Sequence, residues 1–479
     1  MAKEFIVAIE LGSSKLTGMA GRKNPDGSIT ILAAASEDST SYIRKGVVYN
    51  IDKTAQGLNN VVNKLKNTLK TEITQVYIGI GGQSIRSVKN CISKDLPVDA
   101  IVSQDMVNEL MDANRNTIYP EYEIQDAITE EYKVDAQYQT DPVGIQAQHI
   151  DGNFLNILWR RSFYRNLNKS FDNAGIAVAE MYLSPLVTAD NVLTEAEKRA
   201  GCVLVDLGAE TTTVATYFRD KLRSIAVIPL GNNNITKDLE SLQMEEKEAE
   251  EMKRKYASAY TEPDAIDSSM VWSIDGERTV NASKFIEVVE ARMLEIIENV
   301  RNLIPTEYAD KLIGGIVLTG GGSNMPNIEK AVRNVIKVEK VRVAKFVSLN
   351  INTKESKPEL KHDGTMNTIL SLVAKGDMNC AGREINTGLF DNETMEKIQT
   401  AGQNGNAGDI STAVDEASRK AEAERKAQEE EEKRIQKEKE EEEERRKQEE
   451  ERKKNSKVHK FIGSFKKFMG TIVEPDPNE

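Results

Sequence analysis

A short pattern occurs twice in this chain, about two hundred residues apart, and each copy is suited to hold phosphate. The first copy is Val7-Ala8-Ile9-Glu10-Leu11-Gly12-Ser13-Ser14-Lys15-Leu16. The second is Val203-Leu204-Val205-Asp206-Leu207-Gly208-Ala209-Glu210-Thr211-Thr212-Thr213-Val214. Each reads as an apolar strand ending in a carboxylate, then a turn of small residues, then a second strand of β-branched or apolar residues. Glycine lets the backbone fold tightly enough for successive N–H groups to face one anion. The carboxylates beside the turns, Glu10 and Asp206, suit a hydrated divalent cation such as Mg2+, which offsets phosphate charge. Two such hairpins predict two similar lobes closing on one nucleotide.

A third element completes the set. Gly314-Gly315-Ile316-Val317-Leu318-Thr319-Gly320-Gly321-Gly322-Ser323 reads as a strand running into a glycine turn, and Pro326 to Val335 reads as a helix with Asn324 near its start. Bare glycines at Gly320, Gly321 and Gly322 let an adenine or ribose lie against the main chain, and a helix N-terminus favours an α-phosphate. Rival nucleotide folds fit poorly. No G-x-x-x-x-G-K-[ST] run occurs, which removes a P-loop. A dinucleotide fold needs its glycine turn to open a helix, but Thr211 to Tyr217 is β-branched and aromatic, as a strand would be.

These residues resemble the actin-like ATPase superfamily, and within it the FtsA family of bacterial cell-division proteins. The resemblance spans roughly residues 3–392 and returns at the C-terminus. It is carried by Val76-Tyr77-Ile78-Gly79-Ile80-Gly81-Gly82-Gln83-Ser84-Ile85-Arg86-Ser87, by Asp141-Pro142-Val143-Gly144-Ile145, and by Leu193-Thr194-Glu195-Ala196-Glu197-Lys198. Ile228-Pro229-Leu230-Gly231 with Ile235-Thr236, then Glu246 to Lys255, is similar to the family's nucleotide-side loop and following helix. The resemblance implies an α/β, two-lobed actin-like ATPase fold with an inserted α+β interaction domain, a charged tether and a C-terminal amphipathic helix.

Composition narrows the function. A chain of 479 residues is too long for one core. Its net charge of −13 argues against nucleic acid as a partner. Cys91, Cys202 and Cys380 lack metal or disulfide spacing, as expected of a reducing cytoplasm, and the scattered His149, His362 and His459 support neither a metal site nor a Ser–His–Asp hydrolase. The first apolar run carries Glu4 and Glu10, unlike a signal peptide, and no stretch is long enough to span a bilayer.

Along the chain, residues 1–84 read as strands and an amphipathic helix, with Ala55, Leu58, Val61, Val62, Leu65 and Leu69 at helical spacing. Residues 85–165 mix short strands with a helix near Gln104–Arg115. They carry an acidic patch of Glu121, Glu123, Asp126, Glu130 and Glu131, which by itself reads as a solvated surface. The resemblance makes 85–165 the inserted domain. Residues 166–200 and about 376–392 rejoin the first lobe, 201–236 and 306–375 form the second, and 237–305 is a helical subdomain on the nucleotide side. In the helix Ala282 to Leu303, Arg292 and Glu295 lie one turn apart. They suit either an adenosine contact, as in the superfamily, or a surface ion pair. The segment His362-Asp363-Gly364-Thr365-Met366-Asn367 loosely matches the start of the family's last helix, which crosses back to the first lobe.

From about Asn404 the chemistry changes. Residues 393–455 read as a charged tether, and Asp415 to Lys454 is almost entirely Glu, Lys, Arg, Gln and Ala, with too few apolar residues for a coiled-coil seam. If helical, this run of roughly forty residues spans about 60 Å; a disordered tether would also give reach. Residues 456–473 follow as an amphipathic helix. Val458, Phe461, Ile462, Phe465, Phe468, Met469 and Ile472 fall in one arc about 120° wide. Lys460 and Lys467 lie opposite, with Lys466 on a flank. The charged tether separates this helix from any core, and phenylalanines ringed by lysines suit an anionic membrane surface. The family ends in such a membrane-targeting helix.

The resemblance implies ATP and Mg2+ held by Gly12, Ser13, Ser14, Lys15, Asp206, Gly208, Ala209, Thr211, Thr212, Gly231, Arg292, Glu295, Gly320, Gly321, Gly322 and Ser323, with Mg2+ reached through water by Glu10 and Asp206. Glu10, Asp206 and Thr236 are candidates for placing a hydrolytic water, with Asp238 beside them. The chain departs from the family pattern at Ser184-Pro185-Leu186-Val187, where relatives carry Glu-Pro-Leu-Ala. It also departs at Glu210, where a glycine is usual, and at Gly231-Asn232-Asn233-Asn234 in place of Gly-Gly-x-His. Turnover is therefore expected to be slow or absent. The expected partners are the FtsZ C-terminal tail, further copies of this chain in a filament, an anionic membrane surface, and other division proteins through residues 85–165. The expected location is peripheral, on the cytoplasmic face of the cell membrane at midcell. Two other functions fit the same fold: an adaptor of another membrane machine, of the pilus-platform type, and a soluble small-molecule kinase.

Overall fold

Strand Ile6–Leu11 is buried along almost its whole length, so its nearly unbroken apolar run belongs at the centre of a covered sheet. In a computed structural model, which describes residues 4–384 apart from 266, 268 and 354–359, this strand takes that place. It pairs antiparallel with Lys15–Lys23 and parallel with Val76–Ile80. Ile29–Asp38 and Val178–Leu183 lie outside these two. Helix Ile51–Leu69 covers one face. Asn50 caps its start by accepting from Lys53 N–H, and Leu58, Val61, Val62 and Leu65 point inward.

The second lobe repeats this plan. Cys202–Leu207 is central, antiparallel to Thr212–Phe218 and parallel to Gly315–Thr319, with Lys221–Ile228 and Val341–Val343 outside. Strand order and direction match the first lobe position for position. Glu10 lies between Thr17 and Gly79, and Asp206 lies between Thr213 and Thr319. Three helices, Asn232–Glu240, Glu246–Tyr256 and Ala282–Leu303, bury Ile235, Leu239, Met252, Phe285, Val289 and Met293 together. Helix Asn367–Lys375 then returns to the first lobe, packing on its two leading strands and on helix Ser184–Val192.

The lobes differ at their outer edges. In the first, Ile29–Asp38 is capped by the short strand Ile351–Thr353. In the second, Lys221–Ile228 meets the segment inserted after Val76–Ile80, which extends that sheet to nine strands. The join is small but tight. Arg86 pairs with Ala226, and Ser87 Oγ accepts from Ile225 N–H at 2.9 Å. Arg223 bridges to Glu130 at 3.3 Å with both side chains buried. Glu130 therefore leaves the solvated patch expected for it: it neutralises an arginine inside a domain contact. The inserted strands Arg86–Asp95, Tyr122–Val134 and His149–Arg160 are also long, at 10, 13 and 12 residues, where short ones were expected. Helix Gln104–Arg115 lies against them, capped by Ser103.

The tether of 393–455 and the amphipathic helix of 456–473, with all ten membrane-binding candidates from Val458 to Ile472, lie outside the described residues. Among the described residues no helix is long and apolar enough to cross a membrane.

Candidate functional site

The two hairpin turns are built alike. Gly12 N–H donates to Lys15 O at 3.1 Å and Gly208 N–H to Thr211 O at 2.9 Å. A Cβ at either glycine would lie within 2.8 Å of that same carbonyl oxygen, so the turns exclude a side chain. Glu10 and Asp206, one from each lobe, stand just before these turns. Burial, with the charge of Asp206 adding to it, pushes the Glu10 carboxyl up to about 8. Burial alone pushes Asp206 up to about 6. Two carboxylates that resist ionising beside one another mark a place where positive charge is welcome. Among the described residues no group of three or more His, Cys, Asp or Glu could hold a metal. A cation here would need water and phosphate oxygens to complete its shell.

The glycine turn closes the site from the second lobe. Gly320 has φ +82, and a Cβ on it would lie 2.2 Å from Asp206 Oδ1 and 2.7 Å from Leu207 O. A Cβ on Gly322 would lie 2.9 Å from Leu207 Cβ, with the Asn232 side chain at 3.4 Å. Gly231 backs onto the second hairpin, where a Cβ would lie 2.6 Å from Ala209 O. Gly208 O and Ala209 O accept from Asn232 N–H and Asn233 N–H at 3.0 and 2.7 Å. Gly12, Ser14, Lys15, Gly208, Ala209, Thr211, Gly320 and Gly321 all keep some exposure.

Several expected contributors are turned inward. Thr212 is fully buried and its hydroxyl donates to Leu230 O at 2.9 Å. Ser323 is buried, with its hydroxyl on Gly320 O at 2.7 Å. Thr236 is buried within helix Asn232–Glu240, donating to Glu250 at 2.7 Å and accepting from Lys253 Nζ at 2.7 Å. Burial pulls the Lys253 ammonium below its ordinary value, and Glu250 opposes that shift. Thr236 thus anchors two helices and does not reach the cleft. The helix expected from Pro326 begins at Ile328, because Asn327 adopts a left-handed conformation (φ 59), and a 3-10 turn spans Gly321–Asn324. The Asn324 side chain donates to Asp363 O at 2.7 Å, tying this turn to the segment that leads to the last helix.

On the helical side, Arg292 holds Asp238 with two bonds of 2.5 and 3.0 Å and also pairs with Glu295. With Lys237, Ser241, Val288 and Ala291 they line a pocket of about 390 Å³. Arg292 and Glu295 are therefore an ion pair and a pocket wall at once. Lys237 and Ser241 were not among the expected site residues. Lys237 on helix Asn232–Glu240 and Ser241 just past its end give no cue without the helix that faces them.

Comparison with known proteins decides the family. A family described as cell division protein FtsA matches residues 203–362, and one described as an SHS2 domain inserted in FtsA matches 82–158. The cell division protein FtsA of Porphyromonas gingivalis is 31% identical over 335 residues, covering 68% of this chain and 70% of that protein. Its counterpart in Neisseria meningitidis serogroup B is 30% identical over 333 residues, covering 68% and 80%. This chain belongs to the FtsA family. A solved PilM-PilN type IV pilus biogenesis complex matches at TM-score 0.54 and 15% identity, over 77% of this chain and 97% of that one, which shows the shared fold alone. The FtsA assignment makes this a cell-division protein with the actin-like ATPase fold, and the edge extension of the second lobe is its inserted SHS2 domain.

Proposed function

We propose that this chain binds ATP with Mg2+ between its lobes and polymerises on the cytoplasmic face of the cell membrane at midcell. There it anchors the C-terminal tail of FtsZ and engages other division proteins through residues 85–165. The observation that carries the nucleotide reading is the placement of Glu10 and Asp206, both resisting ionisation, at two matching turns with Gly320 against Asp206. The partly exposed turn residues that follow Gly12 and Gly208, with Gly320 partly exposed beside Asp206, suit phosphate oxygens, and the pocket of about 390 Å³ beside Arg292 suits a nucleoside. Lys15, exposed at the first turn, suits direct contact with the phosphates. Glu10 and Asp206 would hold Mg2+ through water, and the ion would supply positive charge against the phosphates. The buried hydroxyl of Thr236 and the missing carboxylate at Ser184 favour slow turnover.

The membrane part rests on the sequence of the tail. One amphipathic helix with a lysine rim binds weakly, whereas many on one polymer bind strongly through effective concentration. The test is sedimentation of the full chain with anionic liposomes, with and without ATP and Mg2+. The chain should pellet with lipid, and Phe465→Glu with Phe468→Glu should leave it in the supernatant. Equal pelleting of that double variant would refute membrane binding through this helix.

A further inference from the structure

The turn Lys45–Gly46, between the short strands Ile43–Arg44 and Val47–Val48, touches three segments at once. Lys45 N–H donates to Glu210 Oε2 of the second hairpin at 2.6 Å. Gly46 N–H donates to Ser13 Oγ of the first hairpin at 2.8 Å. Lys45 O accepts from Gln83 N–H at 3.0 Å, where the first lobe hands over to the inserted domain. That last contact is bare backbone on both sides. A Cβ on Gly46 would lie 2.6 Å from Gly82 Cα, and one on Gly82 would lie 2.6 Å from Gly46 O. Lys45, Gly46 and Gly82 all have positive φ, at 50°, 70° and 120°. Lys45 is not a glycine, so that conformation is disfavoured by itself and depends on the bonds around it.

Backbone packed this closely passes a displacement on, because it has no slack to absorb it. The inserted domain is fixed in turn to the second lobe by Arg86 with Ala226 and by Glu130 with Arg223. The contacts therefore close a circuit: second hairpin, Lys45–Gly46, Gly82–Gln83, inserted domain, second lobe. Glu210 is the link in it that crosses the cleft, and the glycine usual at that position could not make the bond.

We propose that Glu210 is a latch across the cleft which sets the position of the inserted domain through the Lys45–Gly46 turn. A carboxylate accepting a backbone N–H is a charge-assisted bond, stronger than a neutral one. A shift of the second hairpin pulls on Lys45, and Lys45 pulls on Gln83. The latch rests on the nucleotide reading only for what moves that hairpin in use: phosphate arriving beside Glu210 repels its charge.

Hydrogen exchange by mass spectrometry on the full chain tests the latch without nucleotide. In Glu210→Gly, the amides of Lys45 and Gln83 should exchange about fivefold faster, with Glu210→Gln between that variant and the parent. Ser13→Ala removes the other stitch and should free Gly46 and Gln83 in the same way, which keeps the test open if Glu210→Gly does not fold. Unchanged exchange at 82–86 in these variants overturns the proposal, as does acceleration spread evenly over the chain. ATP binding is titrated separately in the same proteins, so a failure of the nucleotide reading is seen apart from a failure of the latch.

Discussion

The two hairpins share strand order, direction and turn geometry, yet their side chains serve different ends. Ser13, Ser14 and Lys15 in the first turn stand where Ala209, Glu210 and Thr211 stand in the second. In the first turn Lys15 is exposed and Ser14 partly so, while the buried Ser13 hydroxyl accepts from Gly46 N–H. The second offers a carboxylate that reaches across to Lys45. Burial lifts both acids, Asp206 to about 6 and Glu10, with the charge of Asp206 added, to about 8. The glycine and the position of the acid are what the backbone demands of both turns. The next three residues are free to diverge, and there the second turn gains a link between lobes that the first lacks.

The largest expected effect contrasts the glycines that follow the fourth strand in each lobe. Gly320→Ala places a Cβ 2.2 Å from Asp206 Oδ1 at a φ of +82, whereas a Cβ at Gly81 meets nothing within 4 Å. Gly320→Ala should cost more than about 4 kcal/mol by denaturant titration and lose ATP binding, while Gly81→Ala should stay within about 0.5 kcal/mol. Equal costs would break the comparison.

The outer edges give the next contrast. Arg223→Ala leaves Glu130 buried without a partner and should cost about 3 kcal/mol. Arg199→Ala breaks an ion pair with Asp220 in which both partners are largely exposed, and should cost less than about 0.5 kcal/mol.

A pH series sharpens the contrast between the acids. The folded chain holds a proton on Glu10 that the unfolded chain releases above the ordinary value of 4.5. The associated stability is full below that value and is lost as pH climbs toward about 8. Glu10→Gln should flatten this decline in thermal or denaturant melts. Asp206→Asn should flatten a smaller decline, from 3.8 to about 6. Nucleotide binding with Mg2+ needs these carboxylates ionised, so affinity should rise with pH over the same span. The smallest effect is in the turns: Ser13→Ala loses the bond from Gly46 and should cost about 1 kcal/mol, whereas Ala209→Ser should be near neutral.

What the sequence made legible was local. Both hairpins, the helix carrying Leu58 and Leu65, the helix Gln104–Arg115 and the helix bearing Arg292 follow from periodicity, caps and turn residues within a few positions of each other. Contacts between distant segments were not legible. Nothing near Glu130 announces Arg223, nothing near Glu210 announces Lys45, and Thr236 meets its partners Glu250 and Lys253 only through helix packing. The late start of the helix at Ile328 has a local cause, the left-handed Asn327, but asparagine visits that conformation too seldom for sequence to announce it.

The central claim, that both lobes contribute to one nucleotide cleft, is tested most directly by calorimetric titration of the full chain with ATP in the presence of Mg2+. A single saturable site is expected, weakened both by Glu10→Gln in one lobe and by Asp206→Asn in the other. No heat of binding, or an isotherm that either substitution leaves unchanged, would contradict it.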